Sequence, residues 1–182
     1  MTAATGRLTV ITGGPGVGKT VTAANLALVM SEDPERKVAL VDANFRSPRA
    51  AELFNLDKDR GLLHAISGQR SLSECVARVV GRNLIVLHAG GEHKNPAQVL
   101  SDPKFKTLVA ELSQAIDFMI IDAPPAIPFA DVPLLAQHAD AVFMVIGSHQ
   151  TRRADLDKAL DTLGRSRVVG SVFRERVKGG AP

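Results

Sequence analysis

The sequence predicts an α/β fold with three layers, in which helices flank both faces of a doubly wound, mainly parallel sheet. Six short apolar runs alternate with longer helix-like segments, which is the order expected of repeated βαβ units. The aromatic content also agrees with this fold class. The chain has seven Phe but no Trp and no Tyr, so its core must consist mainly of Leu, Val, Ile and Ala. Aliphatic strands of this kind are typical of parallel sheets that are buried on both faces.

The six apolar runs predict strands because each is short and rich in Val, Ile and Leu. In chain order they cover residues 8–12, 37–42, 83–88, 118–122, 141–147 and 167–173. Helices are predicted at 19–31, 104–116 and 152–164, the last with Leu156, Leu160 and Leu163 on one face. Residues 45–80 are less regular, and we expect small helices and turns there. No interdomain linker is visible, so residues 1–182 are expected to form a single domain.

Charge and hydropathy narrow the class of protein. The net charge of +3 is too small to indicate nucleic acid as a partner. The single cysteine, Cys75, is interpreted as a small apolar residue on a helix face, and it excludes an internal disulfide. The chain shows neither a signal peptide nor an apolar run of roughly 20 residues. We therefore expect a cytoplasmic protein, which a membrane-bound partner could recruit to the inner face of the membrane.

Basic residues gather toward the C-terminus, and we interpret them as a solvated end of the chain rather than as a binding patch. They are Arg165, Arg167, Arg174, Arg176 and Lys178.

The segment GGPGVGKT at 13–20 matches a phosphate-binding pattern: glycine, four residues, glycine, lysine, then serine or threonine. It follows an apolar strand and opens a helix, which is the context that the pattern requires. Glycines let the backbone approach a phosphate closely, and amide groups at the start of the helix then bind its oxygens. Lys19 is expected to bridge the β- and γ-phosphates, and the Thr20 hydroxyl to bind Mg²⁺.

The nucleotide is interpreted as Mg-ATP, with another nucleoside triphosphate as the alternative. The residues expected to bind it are Gly14, Pro15, Gly16, Val17, Gly18, Lys19, Thr20 and Val21.

Two aspartates end predicted strands, Asp42 in VALVD and Asp122 in FMIID. Ligands of open α/β sheets lie at the carboxyl ends of the strands, so both carboxylates should face the phosphate loop. We interpret Asp122 as a catalytic residue that holds Mg²⁺, directly or through a water. Asp42 is interpreted as a second catalytic residue that orients or deprotonates the attacking group, or shares the metal. For each, an aspartate that caps the turn after a strand is the structural alternative.

Taken together, these segments resemble the bacterial tyrosine kinases of capsule and exopolysaccharide synthesis, which belong with the MinD- and ParA-like P-loop ATPases. The resemblance runs from PGVGKT through VALVDANFRSPR and GLLHAISG to the closing strand GSVF. Its most specific segments are NPAQVLSDP and the proline-containing loop after Asp122. It implies ATP binding at the phosphate loop, action of Asp42 on an incoming hydroxyl, and a magnesium-linked Asp122.

The chain departs from the pattern of this family at several positions. Asn44 stands where the family has a second aspartate, and Arg174 where it has an asparagine that contacts adenine. The tyrosine-rich tail that the family autophosphorylates has no counterpart, since the chain contains no Tyr. Few residues precede Leu8, where the family carries a helix that builds an oligomeric ring. Gly14 replaces the extra lysine of MinD- and ParA-like loops, as is common in the kinases.

Three functions remain open at this point. The first is a kinase-like ATPase of a polysaccharide system, which transfers phosphoryl groups to water or to another protein. It would work with a membrane-bound adaptor of the co-polymerase type, and as a homo-oligomer. The second is a nucleotide-dependent switch with little chemistry, which Asn44, Arg174 and the missing helix favour. The third is a ParA- or MinD-like positioning ATPase that uses its basic end on DNA.

Two arginines, three prolines and five histidines are also interpreted from their positions in the sequence. Arg46 and Arg49 follow Asp42 closely, and they either contact phosphate or a partner subunit or are solvated at the surface. Three prolines are expected to stiffen the loop after Asp122: Pro124, Pro125 and Pro128. Five histidines show no metal-ligand spacing and are interpreted as surface or loop residues: His64, His88, His93, His138 and His149.

Overall fold

The computed structural model of the protein describes residues 7–175. Within this part of the chain, seven strands form one sheet: β1 (Arg7–Gly13), β2 (Val38–Asp42), β3 (Ala77–Arg78), β4 (Leu84–Leu87), β5 (Phe118–Asp122), β6 (Ala141–Gly147) and β7 (Val168–Arg174). Their order across the sheet is β3-β4-β2-β5-β1-β6-β7. All neighbouring pairs are parallel except β3 with β4. The mainly parallel, doubly wound sheet predicted from the sequence is confirmed.

Helices cover the sheet on both faces. They are α1 (Lys19–Met30), α2 (Ala50–Leu53), α3 (Leu62–Ser67), α4 (Leu72–Cys75), α5 (Pro96–Ser101), α6 (Pro103–Ala115), α7 (Asp131–Ala136) and α8 (Arg153–Leu163). One face packs against α1 and α2, and the opposite face packs against α3 to α8. The architecture therefore has the three layers expected from the sequence.

Strand side chains alternate between the two helical layers. In β5, Ile120 packs with the alanines of α1, whereas Met119 and Ile121 belong to the larger core on the opposite face. The buried residues of α1 beyond Lys19 are all alanines, Ala23, Ala24 and Ala27. Because these side chains are small, α1 can lie close to the sheet, and its N-terminus follows the end of β1 closely.

Strand β3 and helices α5 and α7 are short elements that were not predicted. Strand β3 pairs antiparallel with β4 over two residues, inside a stretch where only helices and turns were expected. Helices α5 and α7 each contain six residues; α5 begins at Pro96 and α7 begins at Asp131. Such lengths are less than two helical turns and are too short for an apolar period to appear in the sequence.

Two interpretations of single residues have different outcomes. Cys75 is buried at the end of α4, as expected for an apolar residue on a helix face. His88, interpreted as a surface or loop histidine, lies in the loop directly after β4 but not at the surface, because it is only 3% exposed. Its Nδ1 accepts a hydrogen bond from the Gly90 N–H at 3.1 Å, and burial lowers the pKa of His88. The imidazole directly follows β4, whose side chains are largely buried.

Two expectations concern the ends of the chain and its relation to membranes. Arg176 and Lys178, which belong to the predicted basic end, lie outside the described residues. Between residues 7 and 175, no helix combines the length and the apolarity that crossing a bilayer requires.

Candidate functional site

Three central strands end at the same edge of the sheet and bring the predicted site together. Asp42 and Asp122 are paired in register on the adjacent strands β2 and β5. On the other side of β5, Ile11 of β1 pairs with Asp122, and β1 then ends at Gly13, where the phosphate loop begins. The parallel order of these strands therefore places both aspartates beside the loop, as the sequence predicted.

The phosphate loop turns sharply into α1. Gly18 precedes the helix with a φ of 88°, in the left-handed region that favours glycine. The chain then continues as a helix of 12 residues, whose first N–H groups have no acceptor within the helix. These groups, together with the positive end of the helix dipole, make this end of α1 suitable for an anion such as phosphate.

Lys19 lies inside this loop and is only 7% exposed. Its Nζ donates a hydrogen bond to the Gly14 carbonyl at 2.8 Å, so the side chain reaches back across the loop. Burial lowers the pKa of Lys19, and the negative charge of Asp122 opposes that change. The ammonium group is therefore held between the loop and the acid, where a phosphate could replace the carbonyl as its partner.

Thr20 and Asp122 form the second part of the site. The Thr20 hydroxyl donates to Asp122 Oδ2 at 2.5 Å, and the other carboxylate oxygen, Oδ1, is buried without a hydrogen-bond partner among the described residues. Burial raises the pKa of Asp122 to about 8, the charge of Asp42 adds to this, and the Thr20 hydrogen bond and Lys19 oppose it. An unpaired buried carboxylate oxygen beside a hydroxyl is a donor set that suits Mg²⁺.

Asp42 has a different environment from Asp122. Its side chain is fully buried, and its carboxylate accepts hydrogen bonds from three backbone N–H groups, those of Asn44 (3.0 Å), Arg49 (3.1 Å) and Ala50 (3.0 Å). Burial raises the pKa of Asp42 to about 6, and the three N–H bonds oppose this effect. In this arrangement Asp42 shapes the turn that follows β2. It would have to release one of these bonds to reach a hydroxyl or a cation.

Asn44 contributes a second unpaired oxygen. Its Nδ2 donates to the Ser47 carbonyl at 3.1 Å, while its Oδ1 is buried without a partner among the described residues. Asn44 also lines the cavity that contains Lys19 and Thr20. A neutral amide oxygen can bind a cation, although it lacks the charge of a carboxylate.

The cavity at this edge has a volume of about 780 Å³. The phosphate loop and the start of α1 form one side of it, and the turn after β2 and the loop after β5 form the other. Its lining includes three cationic side chains, Lys19, Arg46 and Arg49, which makes the cavity suitable for a polyanion. Two further side chains, Pro125 and Phe129, form the wall contributed by the loop after β5.

Arg46 lines the cavity and also makes contacts within the protein. It forms two hydrogen bonds with the buried carboxylate of Asp131, and its guanidinium lies over the ring of Phe129. Sequence reasoning missed Asp131 and Phe129 because the pair joins positions 85 residues apart. No local pattern in the sequence could have indicated that contact.

Arg174 lies at the end of β7, next to the phosphate loop. Its Nη1 donates to the Val17 carbonyl at 3.3 Å, and its guanidinium lies against Gly18. Arg174 also lines a smaller cavity of about 300 Å³, together with Gly16 and Ser148. Arg174 is thus brought to the loop by the tertiary structure, at the position where the sequence resemblance placed an adenine contact.

A family model, ParA, described as that of the NUBPL iron-transfer P-loop NTPase, matches residues 4–169 of the chain. Among curated relatives, the tyrosine-protein kinase YwqD of Bacillus subtilis (strain 168) is 35% identical over 161 residues, which cover 87% of this chain and 68% of that protein. The putative tyrosine-protein kinase EpsB of Ralstonia nicotianae is 33% identical over 169 residues. These cover 91% of this chain and 22% of EpsB.

A solved structure, that of the VpsO kinase domain, superposes on this fold with a TM-score of 0.87. It is 30% identical in sequence, and the match covers 95% of this chain and 86% of that one. The alignments with relatives and with this structure therefore extend over most of the described fold. The range matched by the family model, 4–169, includes both the phosphate loop and the strands that carry Asp42 and Asp122.

Proposed function

The chain belongs to the ParA-like P-loop NTPases and, among them, to the bacterial tyrosine kinases, and from this premise we propose that it binds Mg-ATP and transfers the γ-phosphoryl group to water or to another protein. The observation that carries the proposal is the convergence of Lys19, Thr20 and Asp122 at the N-terminus of α1. Phosphoryl transfer needs charge neutralisation and positioning more than covalent chemistry from the protein. These residues can supply both.

Each residue has a distinct role in this proposal. The N-terminal amides of α1 and the Lys19 ammonium bind the phosphates. The Thr20 hydroxyl and the unpaired oxygen of Asp122 hold Mg²⁺, which when bound neutralises charge on the phosphate oxygens. Asn44 faces the same cavity with an unpaired amide oxygen and is a further candidate for the cation or its waters.

For Asp42 we propose a role in two parts. Its three N–H bonds hold the turn that presents Asn44 and Arg46 to the cavity. Its charge lies beside Asp122 on the neighbouring strand and raises the pKa of that residue. Direct action of Asp42 on an incoming hydroxyl, or on the metal, then requires movement of the turn when nucleotide and acceptor are bound.

The phosphate acceptor lies outside these 182 residues if it is a tyrosine, because they contain no Tyr. We therefore propose an acceptor in trans. We also propose cytoplasmic placement, recruitment by a membrane-bound adaptor of a polysaccharide system, and self-association. These three proposals are based on the resemblance of the chain to the bacterial tyrosine kinases.

The second candidate function is a nucleotide-dependent switch that binds ATP with little turnover. The observation that favours it is the pair Asp42 and Asn44, since Asp42 is occupied by backbone N–H groups and Asn44 lacks a carboxylate charge. In that case the nucleotide would shape a surface for a partner, and phosphoryl transfer would be slow or absent.

The test is Mg-ATP binding and turnover by the wild type, with and without a candidate cytoplasmic adaptor segment. Lys19→Ala is expected to lower turnover by at least ~100-fold, since it removes the cation that this proposal assigns to the phosphates. The exposed Lys158→Ala on α8 is the matched control and should behave as the wild type. Binding without turnover, even with the adaptor, would favour the switch. Absence of nucleotide binding would refute both functions.

A further inference from the structure

Arg46, in the turn after β2, forms an ion pair with Asp131, the first residue of α7 and the residue that follows the loop after β5. Arg46 Nε donates to Asp131 Oδ2 at 2.6 Å, and Arg46 Nη2 donates to Asp131 Oδ1 at 3.2 Å. The Asp131 side chain is completely buried, whereas that of Arg46 is 31% exposed and faces the phosphate cavity. A buried carboxylate without this partner would be strongly disfavoured, so the pair ties the two loops together.

The contact depends on the shape of arginine. A planar guanidinium can donate two parallel hydrogen bonds to one carboxylate, which the single ammonium group of lysine cannot do. The same guanidinium lies 3.7 Å from the centroid of the Phe129 ring, in cation–π contact. One side chain therefore holds the loop after β5 at Phe129 and the start of the following helix, α7, at Asp131.

The other end of that loop is attached to the phosphate-loop strand. The Thr12 hydroxyl donates to the Pro124 carbonyl at 2.8 Å, and the Ala126 N–H donates to the Gly13 carbonyl at 3.1 Å. Residues 123–130 are thus held near Asp122 by β1 and at their far end by Arg46. Pro125 lies between the two attachments to β1 and forms part of the cavity wall, and Phe129, at the end held by Arg46, forms another part.

We propose that Arg46 is a positioning residue, which holds residues 123–130 on the phosphate cavity so that Asp122 and the cavity wall keep the geometry needed for phosphoryl transfer. This inference rests on the proposed function and extends it. Arg46 acts through Asp131 and Phe129, and it carries its effect from the turn after Asp42 to the loop after Asp122. It thereby connects the turn that follows Asp42 with the loop that follows Asp122, two segments that are far apart in the sequence.

A direct contact with phosphate is the competing role for Arg46, because part of its guanidinium faces the cavity. The two roles differ in what they change. A positioning residue affects the rate of transfer and the mobility of the loop, and leaves nucleotide affinity almost unchanged. A phosphate ligand affects nucleotide affinity at least as strongly as the rate.

The first measurement is amide hydrogen exchange of the full chain, compared between the wild type and Arg46→Gln. We expect exchange in residues 123–131 to become about tenfold faster, and exchange in β1 and α1 to stay unchanged. Arg36→Gln is the matched control. Arg36 also has one carboxylate partner (Asp33, 3.0 Å) and one phenylalanine (Phe118, 5.9 Å), but it is exposed and lies at the opposite edge of the sheet.

The second measurement is the turnover of Mg-ATP together with the affinity for Mg-ADP. Arg46→Gln is expected to lower kcat by about 10- to 100-fold, because small displacements of catalytic groups have effects of that size. Mg-ADP affinity should stay within about threefold of the wild type, and Arg46→Lys should have an intermediate kcat. Asp131→Asn should lower kcat similarly, and the double variant should be no worse than either single variant.

The outcomes separate this inference from the proposed function. Unchanged loop exchange in Arg46→Gln would overturn the positioning role, whether or not the protein turns over ATP. A loss of Mg-ADP affinity as large as the loss of kcat would replace it by direct phosphate contact. A wild type without turnover would refute the proposed reaction, whereas faster loop exchange in the variant would still support the attachment of the loop by Arg46.

Discussion

At the scale of single residues, the number of backbone N–H groups nearby decides what each aspartate can do. Asp42 and Asp122 occupy paired positions on adjacent strands and are equally inaccessible to solvent. Among the described residues, Asp42 accepts three N–H bonds from its own turn, whereas Asp122 accepts one bond from Thr20 and keeps an unpaired oxygen. The first carboxylate is therefore suited to holding the turn, and the second to binding a cation.

This difference predicts the effect of Asp42→Asn on stability. An amide offers one acceptor oxygen, and its NH₂ group would face donors that the carboxylate now satisfies. The free energy of unfolding should fall by about 1–3 kcal/mol, the usual penalty for a buried unsatisfied group. Urea unfolding at neutral pH measures it, with the exposed Asp59→Asn as the control. Equal stability of Asp42→Asn and the wild type would show that the N–H bonds of the carboxylate contribute no more than is recovered by removing its buried charge from beside Asp122.

At the scale of elements, the join between the phosphate loop and α1 depends on backbone conformation. Gly18 adopts φ 88° immediately before the helix, and no side chain caps this end of α1. Gly14, in the same loop, has no such requirement. A Cβ added there would meet Val17 and Thr151 at ordinary contact distances of 3.5 and 3.7 Å. The glycines of one motif therefore carry different structural constraints.

We accordingly expect Gly18→Ala to lower the free energy of unfolding by about 1–3 kcal/mol, because alanine is strained in the left-handed region. Gly14→Ala should change it by less than about 0.5 kcal/mol, as is usual where no such feature is disturbed. Both are measured by urea unfolding without nucleotide. The added Cβ at Gly18 would also meet the flexible end of Arg174. If Arg174→Ala restored the stability of Gly18→Ala, steric contact rather than backbone strain would be the cause.

At the scale of the whole molecule, the site joins parts of the sheet that are far apart in the sequence. Lys19 and Thr20 follow β1, whereas Asp122 ends β5, and the Thr20–Asp122 hydrogen bond spans 102 positions. Strand β1 also lies between β5 and β6 in the sheet. A ligand bound to both Thr20 and Asp122 is therefore attached to elements whose separation requires global unfolding.

Mg-ADP should therefore stabilise the entire fold in a single transition. At 100 times its dissociation constant, the nucleotide is expected to add about 2.7 kcal/mol to the free energy of unfolding. Thermal unfolding with and without EDTA measures the share that depends on the metal. The stabilisation should decrease when Mg²⁺ is chelated and should be largely lost in Lys19→Ala. An equal stabilisation with EDTA present would contradict the assignment of Thr20 and Asp122 to the metal.

The class of fold, the phosphate loop and the position of Asp122 at the edge of the sheet were predictable from the sequence alone. These features depend on local information: the length and composition of an apolar run, the glycines before Lys19, and the residue that ends a strand. Because the carboxyl ends of neighbouring parallel strands meet at one edge, local patterns were sufficient to predict which loops would meet.

The contacts of the individual side chains, in contrast, could be known only from the three-dimensional structure. The burial of His88, the three N–H partners of Asp42 and the pairing of Arg46 with Asp131 all depend on how a loop folds back. The two-residue strand β3 likewise exists only through its pairing with β4. A contact between residues that are distant in the sequence leaves no period or motif, because any element that comes close in the folded chain can supply the partner. Local sequence patterns therefore predict roughly where the site residues lie, whereas their roles depend on how the chain packs.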